Sequence, residues 1–359
     1  MGAASRVRRT VLGVAIVTAG YLAAGSVAAP VASSSQQWIR LRENPILSAR
    51  DDLPILGDPA VIAKDGGFTM WVPHGFLVAG KPRVRIDYAI SPDGLRWTWG
   101  GVALPTGDPG AWDSTTTETP SVLKDPDERD PSRRYKMWYS GVADETRGAQ
   151  YGIGVAFSPD GRRFTRLPAV DSPFKLRGKV LEPGTTDGDI QAVADPSVLK
   201  IGGIYHMWYT TGMKGPPEVV ISYATSPDGI HWTKYRGNPV LRPTAGWEKG
   251  NSWIVSTVAQ PSVLWDGRRF EMWYASFLNF GGADHRTAGY GYAVSTDGIQ
   301  WTKPESQPVF VTQRGPGEEA GLYTGPFVLR LDRTYWLFYP GVRRMDPHEM
   351  VINAARWNR

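Results

Sequence analysis

Two aspartates stand immediately before a proline that leads a short apolar run, Asp58-Pro59 and Asp195-Pro196. The matching places elsewhere hold Thr119, Gln260 and Gly325, ahead of Pro120, Pro261 and Pro326, and Glu118 lies one residue further out. Carboxylates gathered around one narrow site cannot all ionise easily, so one proton affinity rises while another group stays a base. Hydrolysis of a glycosidic bond needs that division, a proton for the leaving oxygen and a base or nucleophile on the other side. Asp before Pro also caps turns through its side chain, but turn formation does not explain why Thr, Gln and Gly suffice at the same place.

The elements that carry these residues are repeats. The five prolines are spaced by 61, 76, 65 and 65 residues, and each is followed by a short apolar run, "AVIA", "SVLK", "SVLK", "SVLW" and "FVLR". Trp71, Trp208, Trp273 and Phe338 fall twelve residues after their prolines; Trp138 falls eighteen after Pro120, behind the polar insert "DPDERDP". A third marker recurs as "SPDGLRW", "SPDGRRF", "SPDGIHW" and "STDGIQW", starting at Ser91, Ser158, Ser226 and Ser295. Three markers in constant order indicate a repeat architecture. Each copy reads as four strands joined by Gly or Asp-Gly turns, with apolar residues on both faces of the "MWY" strand, as radially packed propeller blades require.

The fifth copy ends after a third strand, and "WIRLRENPIL" from Trp38 matches the fourth-strand stretch "WTKYRGNPVL" from Trp232. The expectation is therefore an all-β, five-bladed β-propeller over residues 36–359, four antiparallel strands per blade, the last blade closed by an N-terminal strand that removes an open edge. Its first strands begin at the channel. On that reading the residue before each proline faces the axis, and the "SPDG" turns lie at the opposite face.

Residues 1–28 read as an export signal: Arg6, Arg8 and Arg9 precede the uncharged run "TVLGVAIVTAGYLAAGSVAA", and Ser26-Val27-Ala28 suits cleavage. Arg8-Arg9 resembles a twin-arginine signal, an uncleaved anchor is the alternative, and residues 29–35 form a linker. The expected location is secreted, periplasmic or cell-envelope, with no stable membrane insertion after cleavage. Cleavage lowers the formal charge from +5 to +2, and the mature chain carries no basic cluster with interleaved aromatics, which excludes nucleic acid. With no Cys, disulfides and thiolate chemistry are absent and the core alone must hold the domain. A monomer is expected.

The "DP" openings at Asp58 and Asp195, the "MWY" strands and the "SPDGIHW" turns resemble the five-bladed propeller glycoside hydrolases, the superfamily of arabinanases, β-xylosidases, invertases and levansucrases, over residues from about 36 to 359. The resemblance implies that Asp58 is base or nucleophile and that Asp195 tunes proton affinity or holds the sugar. The superfamily's acid is usually a Glu two residues ahead of Pro in the fourth blade, where this chain has Ala259-Gln260-Pro261. Glu118, in the one first-strand Glu-x-Pro, is the candidate acid by geometry. The partner implied is a carbohydrate, cleaved or, without an acid, simply bound.

Further substrate-binding candidates are Thr119, Gln260, Trp253, His285, Arg286 and His74; Asp284, Glu145 and Arg147 are weaker ones. Trp112 and Trp247 recur in matching places and read as packing. No cofactor is required: "TTDGD", with Asp187 and Asp189, has calcium-like composition but lacks EF-hand length, so a channel calcium is unsupported. No zinc spacing, P-loop or Gly-x-Ser-x-Gly is present.

Overall fold

Proline sits inside a β-bulge in the middle repeats. In the computed structural model the strands Thr116–Lys124, Val193–Ile201 and Ala259–Trp265 start before Pro120, Pro196 and Pro261. Each breaks register with its partner around the proline, between Glu118 and Ser121, Ala194 and Ser197, and Ala259 and Ser262. The expectation that proline opens the strand thus holds for Ala60–Lys64 and Phe327–Leu331 and fails for the other three. A bulge tolerates proline because the extra residue makes no ladder bond. It also turns the preceding residue: Thr119, Asp195 and Gln260 have φ of 46°, 53° and 53°, a left-handed conformation costly before proline and for a β-branched side chain.

The structure describes residues 36–50, 54–64, 66–143, 150–184, 192–213, 218–249, 256–278, 286–345 and 348–358. The chain is nearly all β, and its curled sheets give a propeller-like arrangement. Hydrogen bonding divides the strands into four sheets. The largest holds the first two repeats, linked by one parallel bridge between Val84 and Thr116. Successive strands within a repeat pair antiparallel, as Val193–Ile201, Ile204–Gly212, Glu218–Ser226 and Thr233–Lys234 do. The N-terminal Ile39–Arg40 pairs antiparallel with His348–Asn358, Ile39 opposite Arg356 and Arg40 opposite Ala355. Residues 1–35, the proposed signal and linker, lie outside the described residues. No helix among those described is long and apolar enough to cross a membrane.

The repeated markers are explained by contacts between neighbouring repeats. The indole N–H of Trp71 donates to the Gly161 carbonyl (2.7 Å), that of Trp138 to Gly229 (2.8 Å) and that of Trp208 to Gly298 (2.8 Å). A buried Trp needs a partner for its N–H, and the Gly of the second, third and fourth of these "SPDG" or "STDG" turns supplies it from the next repeat. Trp273 instead donates to the Gln36 side chain at 3.0 Å, so the N-terminal segment stands in for the missing turn. Nearer the axis, the Ser after each of the three middle prolines caps the following repeat: Ser121, Ser197 and Ser262 accept from the backbone N–H of Val198, Val263 and Val328 at 2.9, 3.0 and 2.9 Å. Apolar side chains fill the space between sheets, as where Trp138 and Val155 meet Val198, Tyr205 and Met207.

Candidate functional site

The bulges converge on a cavity open to solvent, walled by the five residues that precede proline (Asp58, Thr119, Asp195, Gln260, Gly325) and by the prolines and the residues after them. Asp58 Oδ1 accepts the backbone N–H of Gly325 at 3.0 Å and the side-chain amide of Gln260 at 3.2 Å. Asp195 donates its backbone N–H to Ser140 Oγ at 2.8 Å, and the hydroxyls of Thr210 and Thr119 face its carboxyl. Both aspartates keep a strip of accessible surface while their carboxyls are enclosed by protein. Burial pushes Asp58 up to about 6, against the hydrogen bond from Gly325. Burial first, then the Asp58 charge, pushes Asp195 up to about 7.

Gly325 has a steric reason to be glycine. A Cβ there would lie 2.5 Å from the Gln260 Cβ and 3.1 Å from its Oε1. The missing side chain lets Gln260 close over Asp58. Gln260 Oε1 is buried without a partner among the described residues, an acceptor that a ligand hydroxyl or an ordered water would satisfy.

Other buried acids are tied to cations and differ in kind from this pair. Asp113 accepts from Arg166 (2.7 Å) and the Tyr139 hydroxyl (2.9 Å). Glu248 accepts from Lys303 (2.7 Å) and Tyr274 (2.6 Å), and Glu318 is bound by Arg40. Asp87 takes hydrogen bonds from His74, Arg85 and Arg50, which outweigh burial and hold it below the usual carboxylate range. Compensated acids of this sort are struts.

The structure brings Asp58, Asp195, Thr119 and Gln260 to one cavity wall. Glu118 is half-buried opposite Ser140, one residue outside that wall. Its charge reaches Tyr323, which burial and then the charges of Asp58 and Glu118 push up to about 12, so one tyrosine senses both carboxylates. His74 is not presented to a ligand: it is fully buried, with Nδ1 on Asp87 (2.8 Å) and Nε2 on the Arg50 carbonyl (2.6 Å), and its ring stacks on Trp99. Arg286 donates to the Ala320 carbonyl at 2.8 Å, away from the cavity wall. Trp253, His285, Asp284, Glu145, Arg147, Asp187 and Asp189 lie outside the described residues. Trp112 and Trp247 stack on Tyr139 and Tyr274 at interplanar angles of 22° and 17°. No group of three or more His, Cys, Asp or Glu among the described residues is placed to hold a metal ion.

Ser140 and Thr210 escaped the sequence reading, although a signal for both was present. Two residues beyond the recurring Trp stand Ser140, Thr210 and Ala275 in the second, third and fourth repeats. Ser140 Oγ accepts the backbone N–H of Asp195, and Thr210 Oγ1 that of Gln260 at 2.8 Å. Ala275 has no hydroxyl to offer, and the next backbone N–H in the series, Gly325, goes to Asp58 instead.

No family profile matches the chain. Two uncharacterized proteins of Mycobacterium tuberculosis, from strains CDC 1551 / Oshkosh and ATCC 25618 / H37Rv, are 31% identical over 154 residues, which is 42% of this chain and 43% of each relative. The match thus spans less than half the length of these curated relatives. Among solved structures, one described as an RGII complex aligns at a TM-score of 0.69 and 17% identity, over 89% of this protein and 92% of its own length. A thermostable family-43 glycoside hydrolase aligns at 0.60 and 17%, over 87% and 91%. A structure from the GH130 family of mannoside phosphorylases, described as containing hydrolases of β-1,2 mannosidic linkages in Candida mannan, aligns at 0.62 and 15%, over 91% and 95%. The chain therefore shares the fold of the propeller-type glycoside hydrolases.

Proposed function

We propose that this protein is an exported, monomeric glycan-cleaving enzyme built as a five-bladed propeller, acting at the cavity that holds Asp58 and Asp195. The observation that carries the reading is the pairing of two carboxyls in one cavity with raised proton affinity and no cation among the described groups acting on them. Such a pair destabilises the fold at neutral pH and is retained at sites that move protons. Four sheets yield five blades when the single Val84–Thr116 bridge is taken as a contact between blades, with Ile39–Arg40 completing the last one. Asp58, held by two N–H donors, suits the base or nucleophile; Glu118 and Asp195 are the candidate acids. The buried, open Gln260 Oε1 suits a sugar hydroxyl.

The test is turnover by the mature protein on aryl glycosides, arabinan, xylan, fructan and β-1,2-mannan, each with and without inorganic phosphate. Asp58→Asn should lower kcat by about 10²–10⁴-fold with an unchanged circular dichroism spectrum. Equal turnover by both proteins removes Asp58 from the mechanism.

A second reading, a glycan-binding propeller without catalysis, is favoured by one observation. Ala259 is fully buried opposite Ala275, so the fourth repeat offers no carboxylate where the resembling enzymes carry their acid. Retention on a glycan array with no product release would support it.

A further inference from the structure

The two cavity aspartates have unlike hydrogen-bonding partners. An amide N–H only donates, whereas a hydroxyl both donates and accepts, so amides select an ionised carboxylate and hydroxyls tolerate the acid. Asp58 Oδ1 is held by two amides, Gly325 N–H and Gln260 Nε2, with the Thr324 hydroxyl as a further neighbour. Asp195 is faced by hydroxyls alone, those of Thr210 and Thr119. The remaining titratable groups coupled to the pair are Tyr290 and Tyr323, both kept neutral by burial and by the Asp58 charge. Glu118 acts on Tyr323 from outside the cavity wall.

Gly325 is free to serve Asp58 because the repeat is broken beside it. In the second and third repeats a hydroxyl two residues past the Trp takes the backbone N–H of the residue before the next proline; at Ala275 that hydroxyl is absent. The neighbouring break, Gln for Asp or Thr at position 260, adds the second amide. Both departures act on the same oxygen.

We propose that Gln260 and Gly325 divide the labour of the pair, keeping Asp58 as the ionised base and leaving Asp195 as the catalytic acid in place of a fourth-repeat glutamate. This deepens the glycan-cleaving reading and rests on it. In the step implied, Asp195 gives its proton to the glycosidic oxygen as the bond from that oxygen to the anomeric carbon breaks. A water attacks the same carbon and passes its proton to Asp58. The cycle ends with Asp195 ionised and Asp58 protonated, and one proton moving from Asp58 to Asp195, directly or through cavity water, restores the start. Gln260 is a positioning residue in this scheme, acting through Asp58.

Two measurements test the assignment. The first needs no substrate: carboxyl carbon titrations of the mature protein labelled with ¹³C-Asp, assigned through D58N and D195N. Asp58 should lose its proton at lower pH than Asp195, and Gln260→Ala should narrow or invert the gap; Asp195 ionising first overturns the proposal. The second uses whichever aryl glycosides are turned over. D195N should lose at least tenfold more activity on a poor leaving group than on dinitrophenyl glycosides, E118Q should show no such split, and D58N should be equally impaired on both. A split in E118Q rather than D195N returns the acid role to Glu118 and sinks the proposal. If nothing is turned over, the cleavage reading fails on its own, and the titration still decides which aspartate holds the proton.

Discussion

Gln260 donates its side-chain amide to Oδ1 of Asp58 at 3.2 Å, joining residues 202 positions apart in the chain. The bond spans the inner wall of the cavity and exists because Gly325, between the two repeats, carries no side chain. Base, positioning amide and glycine form one unit drawn from the first, fourth and fifth repeats.

The cavity pair should make stability fall as pH rises. Asp195 has an ordinary value of 3.8 when unfolded and about 7 when folded, and Asp58 about 6, so the folded state binds protons that the unfolded chain releases. Their contribution to stability is fully present below about pH 4 and is lost as pH rises through 6 to 7. Asp195→Asn, which mimics the neutral form, should gain stability relative to wild type on the order of a few kcal/mol between pH 5 and 8. Urea unfolding at both pH values measures it; a constant difference contradicts the raised affinity.

Gly325→Ala should disable the site without touching a carboxyl. The new Cβ meets Gln260 Cβ at 2.5 Å, a contact that the Gln260 backbone, tied to Thr210, cannot relieve by side-chain rotation alone. Overpacking of this kind costs about 1–3 kcal/mol. Thermal unfolding should show that loss, and the Asp58 carboxyl signal should titrate at higher pH than in wild type.

Ala275→Ser restores the hydroxyl found in the second and third repeats. Competition for the Gly325 N–H should raise the proton affinity of Asp58 and shift the acidic limb of any pH–rate profile upward. An unshifted Asp58 titration would show that the Gly325 N–H does not set its proton affinity.

Arg40→Ala should unseat the N-terminal strand. Glu318 is fully buried with Arg40 as its cation; burial raises its proton affinity and Arg40 opposes that rise. Leaving a buried carboxylate uncompensated costs about 3–5 kcal/mol. A melting temperature within a degree of wild type would mean that Ile39–Arg40 contributes little to the last sheet.

The repeat was legible in the sequence because each marker answers to a local or nearest-neighbour rule: the indole of Trp208 needs the Gly298 carbonyl, and Ser197 meets the N–H of Val263. Such rules recur at fixed spacing, so the chain wrote out its strands, its N-terminal partner strand and the ring of residues before proline. That Asp58 and Asp195 share a cavity followed from the same periodicity. What tertiary structure decided lies where the period breaks. Periodicity puts Gly325 in the ring, but only its close approach to Gln260 and its N–H on Asp58 show what the missing side chain does there, and Ala275 matters only because the hydroxyl its neighbours carry is absent. His74, polar and near the site's end of its strand, proved to be locked on Asp87 and Arg50. Spacing reports which residues share a face, but hydrogen-bond direction and the room for one methyl group are set by chain segments brought together from opposite ends of the sequence.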